Sequence, residues 1–262
     1  MSPQERPELD ELPFAAPCQK LAAGTPLAWL RRGWAVLRAA PRQSLCYGLA
    51  MTALSYLITA ATWYFGNLGL YLGLVSGFVF IGPWLALTLY AISRRLERGD
   101  RVTLPRSMRD AGRAIGNAMV FAVILTVVFL VWARAATMVH VFFPPANDPS
   151  PADLVPFFAV GSAVGAFFCA IVFAASAFSL PMLMDRRTDT VTAVVTSVNA
   201  VLRNKPAMAV WAAIIVASVL IGILTAWLAF VVLLPVIGHA TWHAYRDTID
   251  AGQWPELELD DR

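Results

Sequence analysis

The sequence predicts an all-α fold: a polytopic, six-span transmembrane helical bundle built as three repeats of an interfacial amphipathic helix plus a transmembrane hairpin. Three observations carry this expectation. Long apolar runs contain almost no ionised side chain. The composition is 58% hydrophobic and 14% charged. A soluble domain has about 45–50% apolar and about 25% charged residues, so the departure runs in the direction a lipid-facing surface requires. Finally, the basic residues are gathered into a few segments between the apolar runs.

The chain opens on MSPQERPELDELPFAAPCQK, acidic and proline-rich, without the basic start and apolar core of a secretory signal. Residues 1–24 are expected to be a disordered tail. In the next segment Leu27, Leu30, Trp34 and Leu37 share one helical face, with Arg31, Arg38 and Arg42 on the neighbouring stripe. Thr25 and Pro26 suit an N-cap and a first-turn proline.

A membrane-crossing helix needs about 20 apolar residues for about 30 Å of hydrocarbon. Spans are expected at residues 45–65 and 68–93, joined by a tight link. An arginine-rich loop follows, in which Met108, Ala111 and Ile115 oppose Arg106, Arg109 and Arg113. Span three covers 117–143 and span four 154–184, and their link PPANDPSPAD carries no positive charge. A third amphipathic segment sets Val191, Val194, Val195, Val198 and Leu202 against Thr192, Thr196, Asn199 and Arg203. The apolar stretch 208–245 is too long for one crossing and is divided near Leu224–Thr225 into spans 208–224 and 226–245. One membrane domain thus covers residues 25–247, and residues 248–262 form an acidic C-terminal tail.

The repeat is written in the residues. AVLRAAP (35–41) recurs as AVLRNKP (200–206), and AGRAIGN (111–117) is a weaker third copy, each just before a span. The even-numbered spans carry Pro83, Pro181 and Pro235 toward the same end, where proline kinks a helix. The amphipathic segments can lie in the headgroup plane or pack on the protein itself. Loops on the cytoplasmic side collect Lys and Arg. Every basic residue but Arg134 falls in the segments assigned to one side. The chain is therefore expected in the bacterial inner membrane with both termini cytoplasmic.

Arg134 stands about 25 Å along its helix from Asn117, near the outer boundary. It either snorkels to the outer headgroups, with Asp148 and Asp153 as partners, or faces the interior as an anion or lipid-headgroup site. His239 and His243 are spaced i, i+4 on one helix face, a spacing that can hold a metal given further ligands. Cys46, Met182 and Met184 would make it a soft site. The alternative is an interfacial cap with Trp242 and Tyr245. His140 lies on the opposite side. Three widely spaced cysteines (Cys18, Cys46, Cys169) form neither a disulfide framework nor a zinc motif. No catalytic motif, resident metal or cofactor is indicated, and no carboxylate falls inside a span.

WLRRGWAVLRAAP, GPWLALTLYAISRRLERG, SAFSLPMLMDR and PVIGHATWHAYRD, in that order, resemble a bacterial family of integral membrane proteins known only as a domain of unknown function. The likeness covers residues 25–250 and implies an inner-membrane protein without an established activity. Some members of that family carry the label of putative cytochrome c oxidase subunit I. The chemistry rejects it, because haem and copper ligation there needs more histidines than the three present, which sit on two sides. The expectation is a non-enzymatic accessory or scaffold protein that contacts membrane lipid and another membrane protein, and no nucleic acid. The alternative is a transporter or channel for a small solute or lipid. Last comes a metal- or haem-binding respiratory-chain accessory protein. Gly161 and Gly165 have the spacing for close helix contact.

Overall fold

The computed structural model describes residues 13–66, 85–142 and 151–259. Most of the expected second span, Pro83, and the loop carrying Asp148 lie outside them. The described chain is all-α apart from two isolated β-bridges.

Helix α1 (Thr25–Ala39) runs into α2 (Pro41–Phe65) through Ala40, whose φ of −128° and ψ of 60° break the helix ahead of Pro41. The N-cap of α1 is Gly24 rather than Thr25. The helical segment 85–97 (α3) leads to α4 (Leu104–Arg113) and α5 (Ile115–Phe142). Helix α6 (Pro151–Ser176) breaks at 177–178 before α7 (Ser179–Asp185). Pro181 explains the break, since it lacks the amide that would bond the Ala177 carbonyl. Helix α8 (Thr190–Arg203) passes into α9 (Lys205–Leu224) through Asn204, with φ −119° and ψ 36°, close to the junction at Ala40. A turn at 225–229 reverses the chain into α10 (Phe230–Thr248). Ala226 and Trp227 take φ of +49° and +69° there. Non-glycine residues reach that region at a cost of about 1–2 kcal/mol each, and the Tyr56 hydroxyl holds the turn by donating to the Ala226 carbonyl.

Among the described residues, four stretches are long and apolar enough to cross a membrane: Pro41–Phe65, Ile115–Val139, Val155–Asp185 and Lys205–Leu224. Little of each apolar window is buried, from 0% to 22%. Val127, Leu130, Phe158, Phe167, Leu220 and Ile223 all point outward. A surface like this is stable in hydrocarbon and not in water.

The packed core lies at the other extreme, at the arginine-rich end. Trp29, Phe121, Phe178, Met182, Met184, Trp211, Trp242 and Tyr245 are fully buried there in one cluster. Helix α10 packs on α1 and α2 at glycines. A Cβ at Gly33 would lie 2.8 Å from the Ala240 nitrogen, and one at Gly48 would strike the Val231 backbone.

Glycine-mediated packing sets which stripe of α1 meets the protein. It buries Pro26, Trp29, Gly33 and Leu37, while Leu27 and Trp34 are exposed. Counting large apolar residues misses Gly33, although only a residue without Cβ allows this approach. Helix α8 is divided as expected but turned outward. Thr192, Thr196 and Ser197 face the protein, whereas Val191, Val195 and Leu202 are exposed.

The terminal segments also correct an expectation. Residues 13–24 and 248–259 are packed, not free tails. Cys18 and Ile249 form an antiparallel bridge, reinforced by Gln19 N–H to the Thr248 carbonyl and Asp250 N–H to the Pro17 carbonyl, 2.8 and 2.9 Å. Asn204 clamps the N-terminal segment by accepting from the Leu21 amide at 2.8 Å and donating to the Gln19 carbonyl at 3.0 Å. Farther on, Trp254 and Leu259 are buried, and the Leu257 and Arg187 amides donate to the carbonyls of Asp185 and Pro255. The two ends are thus strapped side by side across the arginine-rich face.

Candidate functional site

Polar chemistry concentrates where α3, α7, α10 and the C-terminal strap meet. Arg94 and Arg95 end the apolar run of α3, and Asp185 ends that of α7. Arg94 Nε lies 3.2 Å from Asp185 Oδ1, and its terminal nitrogens donate to the Met184 and Asp185 carbonyls at 3.2 and 3.1 Å. The Tyr245 hydroxyl donates to Asp185 Oδ2 at 2.9 Å, and Arg186 and Arg246 reach the same oxygen at 2.9 and 3.4 Å. One buried carboxylate is therefore shared by three guanidinium groups and a phenol. Glu256 of the strap closes the ring against Arg94 and Arg98.

Beside it, Arg95 grips Asp110 of α4 with both ends of its guanidinium, at 2.6 and 3.0 Å. Both residues are buried. Opening such a pair by removing one partner costs about 3–5 kcal/mol, because the survivor is stranded in low dielectric. At the rim, Asp247 accepts from Trp29 Nε1 at 3.0 Å and pairs with Arg32.

The two singled-out histidines lie at this end but do not converge. His239 is fully buried. Its Nε2 lies 2.9 Å from the Ser44 hydroxyl of α2 and its Nδ1 2.8 Å from the Ser93 hydroxyl of α3. With both ring nitrogens engaged, it pins three helices together. His243 turns elsewhere, with Nδ1 3.3 Å from Glu97 Oε1 and a buried Nε2 lacking a hydrogen-bond partner. Among the described residues no group of three or more His, Cys, Asp or Glu could hold a metal ion. Cys46 is exposed, apart from the buried Met182 and Met184. Arg134 is on the exposed surface of α5 and makes no hydrogen bond or ion pair with a described residue.

Sequence reasoning missed Asp110 and Asp185, because loop carboxylates read as solvated. The available signal was position: SRR and MDRR each set charges directly at the end of an apolar run, where the next turn is still inside the core.

Beyond the network, the strap and the 186–189 loop border a cleft of about 310 Å³ lined by Arg113, Asn117, Leu183, Arg187, Thr188 and Leu257 among others.

Residues 70–185 match the family model described as predicted integral membrane protein (DUF2189). The matched part includes α3, α4, α5, α6 and α7, and so both Arg94 and Asp185. It agrees with the resemblance read from the sequence to an uncharacterised integral membrane family. No curated protein and no solved structure matches the chain.

Proposed function

We propose that this chain is a six-span inner-membrane protein with a non-enzymatic accessory or scaffold role, exerted through its surfaces on lipid and on another membrane protein. The carrying observation is the strapped arginine-rich end. Its buried charges are paired with one another, and both terminal segments lie across it, while the long helices turn apolar side chains outward.

Six spans follow if the four apolar stretches are joined by α10, whose 19 residues reach about 28 Å, and by the segment 68–93. The three-unit repeat is supported by the junctions α1–α2, α4–α5 and α8–α9, where an amphipathic helix breaks at one residue before an apolar helix. The density of Arg and Lys supports a cytoplasmic position for the strapped end. The outward position of Arg134 favours snorkelling over an interior anion site. The use of both His239 nitrogens by serines speaks against haem ligation.

Purified protein in proteoliposomes distinguishes the readings. Solute flux indistinguishable from empty vesicles is expected there, and in native membranes a photoreactive residue at exposed Phe158 or Phe167 should give a discrete crosslink to one membrane protein. Saturable, protein-dependent uptake would overturn the proposal in favour of a transporter.

A further inference from the structure

We propose that the cleft between the start of α5, the 186–189 loop and the C-terminal strap binds a phosphate group, presented by the headgroup of an anionic phospholipid. Its lining includes Arg113, Leu183, Arg187, Thr188, Asp189 and Leu257. Three observations converge on this ligand.

Arg187 is exposed, and its guanidinium makes no hydrogen bond or ion pair with a described residue, unlike neighbouring Arg186. Thr188 is only 6% exposed, and its hydroxyl has no hydrogen-bond partner. A buried donor without an acceptor is costly, and a phosphate oxygen would supply one. The cleft also borders the first turn of α5, whose leading amides have no intrahelical acceptor and whose dipole favours an anion.

Two of the nearby carboxylates are engaged elsewhere, Asp189 on α8 and Glu256 with Arg94 and Arg98. Asp189 caps α8 by accepting from the Thr192 amide and hydroxyl at 2.9 and 2.6 Å. Glu256 and Glu258 alternate with Leu257 along the strap and line an adjoining cavity with Trp254, while Leu257 turns to this one; Arg187 stands between the two and borders both. Arg113, which donates to the Glu258 carbonyl at 2.8 Å, ties the strap to the cleft wall.

Position selects the source of the phosphate. Two stretches able to cross a membrane, Ile115–Val139 and Val155–Asp185, have their ends at this cleft. It therefore sits at headgroup depth, and Leu183 and Leu257 provide an apolar edge for the glycerol end. The inference rests on the membrane reading of α5–α7.

The test is native mass spectrometry of the full chain released from nanodiscs of phosphatidylglycerol and phosphatidylcholine. Retained phosphatidylglycerol adducts are expected. They should fall about tenfold in Arg187→Gln with Thr188→Val, the loss expected when charge-assisted hydrogen bonds to phosphate are removed. Arg101→Gln, the same charge change at an exposed arginine outside the cleft, should retain them. Thermal unfolding of each variant shows that it is folded. Displacement of the adduct by inorganic phosphate, lost in the double variant, keeps the phosphate site but assigns it to a soluble ester. Equal adducts in the double variant and the parent, or none in the parent, overturn the proposal. Failure of the chain to enter nanodiscs at all would instead overturn the membrane reading.

Discussion

At the scale of residues, the buried polar groups are explained by what their neighbours supply. His239 has two serine hydroxyls and nothing else to coordinate. Replacing it with Leu leaves the Ser44 hydroxyl unpaired in the core and Ser93 with only the Leu89 carbonyl, at an expected cost of about 1–3 kcal/mol, measurable by denaturant unfolding in detergent. A variant as stable as the parent would mean the histidine is not a clasp. Asp189 gives a pH dependence. Partial burial opposes ionisation, but hydrogen bonds from the Thr192 hydroxyl and amide outweigh it and hold the carboxyl below its ordinary value. Its folded value is thus lower than its unfolded one. The cap stabilises fully above the unfolded value, and this contribution is lost as pH falls through the folded value. Asp189→Ala is expected to cost about 1 kcal/mol near neutral pH, and the gap to the parent in melting temperature should close on acidification. Histidine spacing was legible in the sequence. The partners were not, since Ser44 and Ser93 are far from His239 along the chain and indistinguishable from solvent-facing serines.

At the scale of elements, helix existence follows from composition and helix orientation from small residues. Gly33 and Gly48 put the backbone of α10 in direct contact with α1 and α2. Gly48→Ala should force these helices apart and destabilise by about 1–3 kcal/mol, read as a lower unfolding midpoint. Gly165→Ala, with nothing within 4 Å in the interior of α6, should not lower the midpoint, since Ala is the better helix former. If both variants behave alike, the glycine contact does not hold α10. The outward face of α8 follows a related rule. Thr196 accepts from the Ala16 amide at 3.0 Å, and Ser197 accepts from Phe178 and donates to Ala174. The protein therefore satisfies the polar face, and Val191, Val195 and Leu202 are left for the surroundings.

Across the whole molecule, stability is concentrated at one end. The terminal straps seal a core of tryptophans and a charge network, while the long helices diverge into apolar surface. Removing residues 251–262 takes away buried Trp254 and the Glu256 partner of Arg94 and Arg98. Loss of a buried tryptophan alone costs about 3–5 kcal/mol. The truncated chain is expected to melt earlier and to be cleaved by trypsin at Arg186–Arg187, where the strap now bonds the backbone. Unchanged melting together with unchanged protection would show the strap to be incidental.

The sequence by itself determined the all-α class, the apolar helices, the concentration of arginine at one end and the proline at the α6–α7 break, Pro181. These depend on local composition and on proline geometry, which act within a turn or two of the chain. Only the tertiary structure decided which face of α1 is buried, that both terminal segments are packed, and that Asp110 and Asp185 are internal ions. Each of these turns on a partner distant in sequence. A carboxylate beside a helix end reads the same whether water or a guanidinium faces it, and burial, which the chain order does not record, makes the difference.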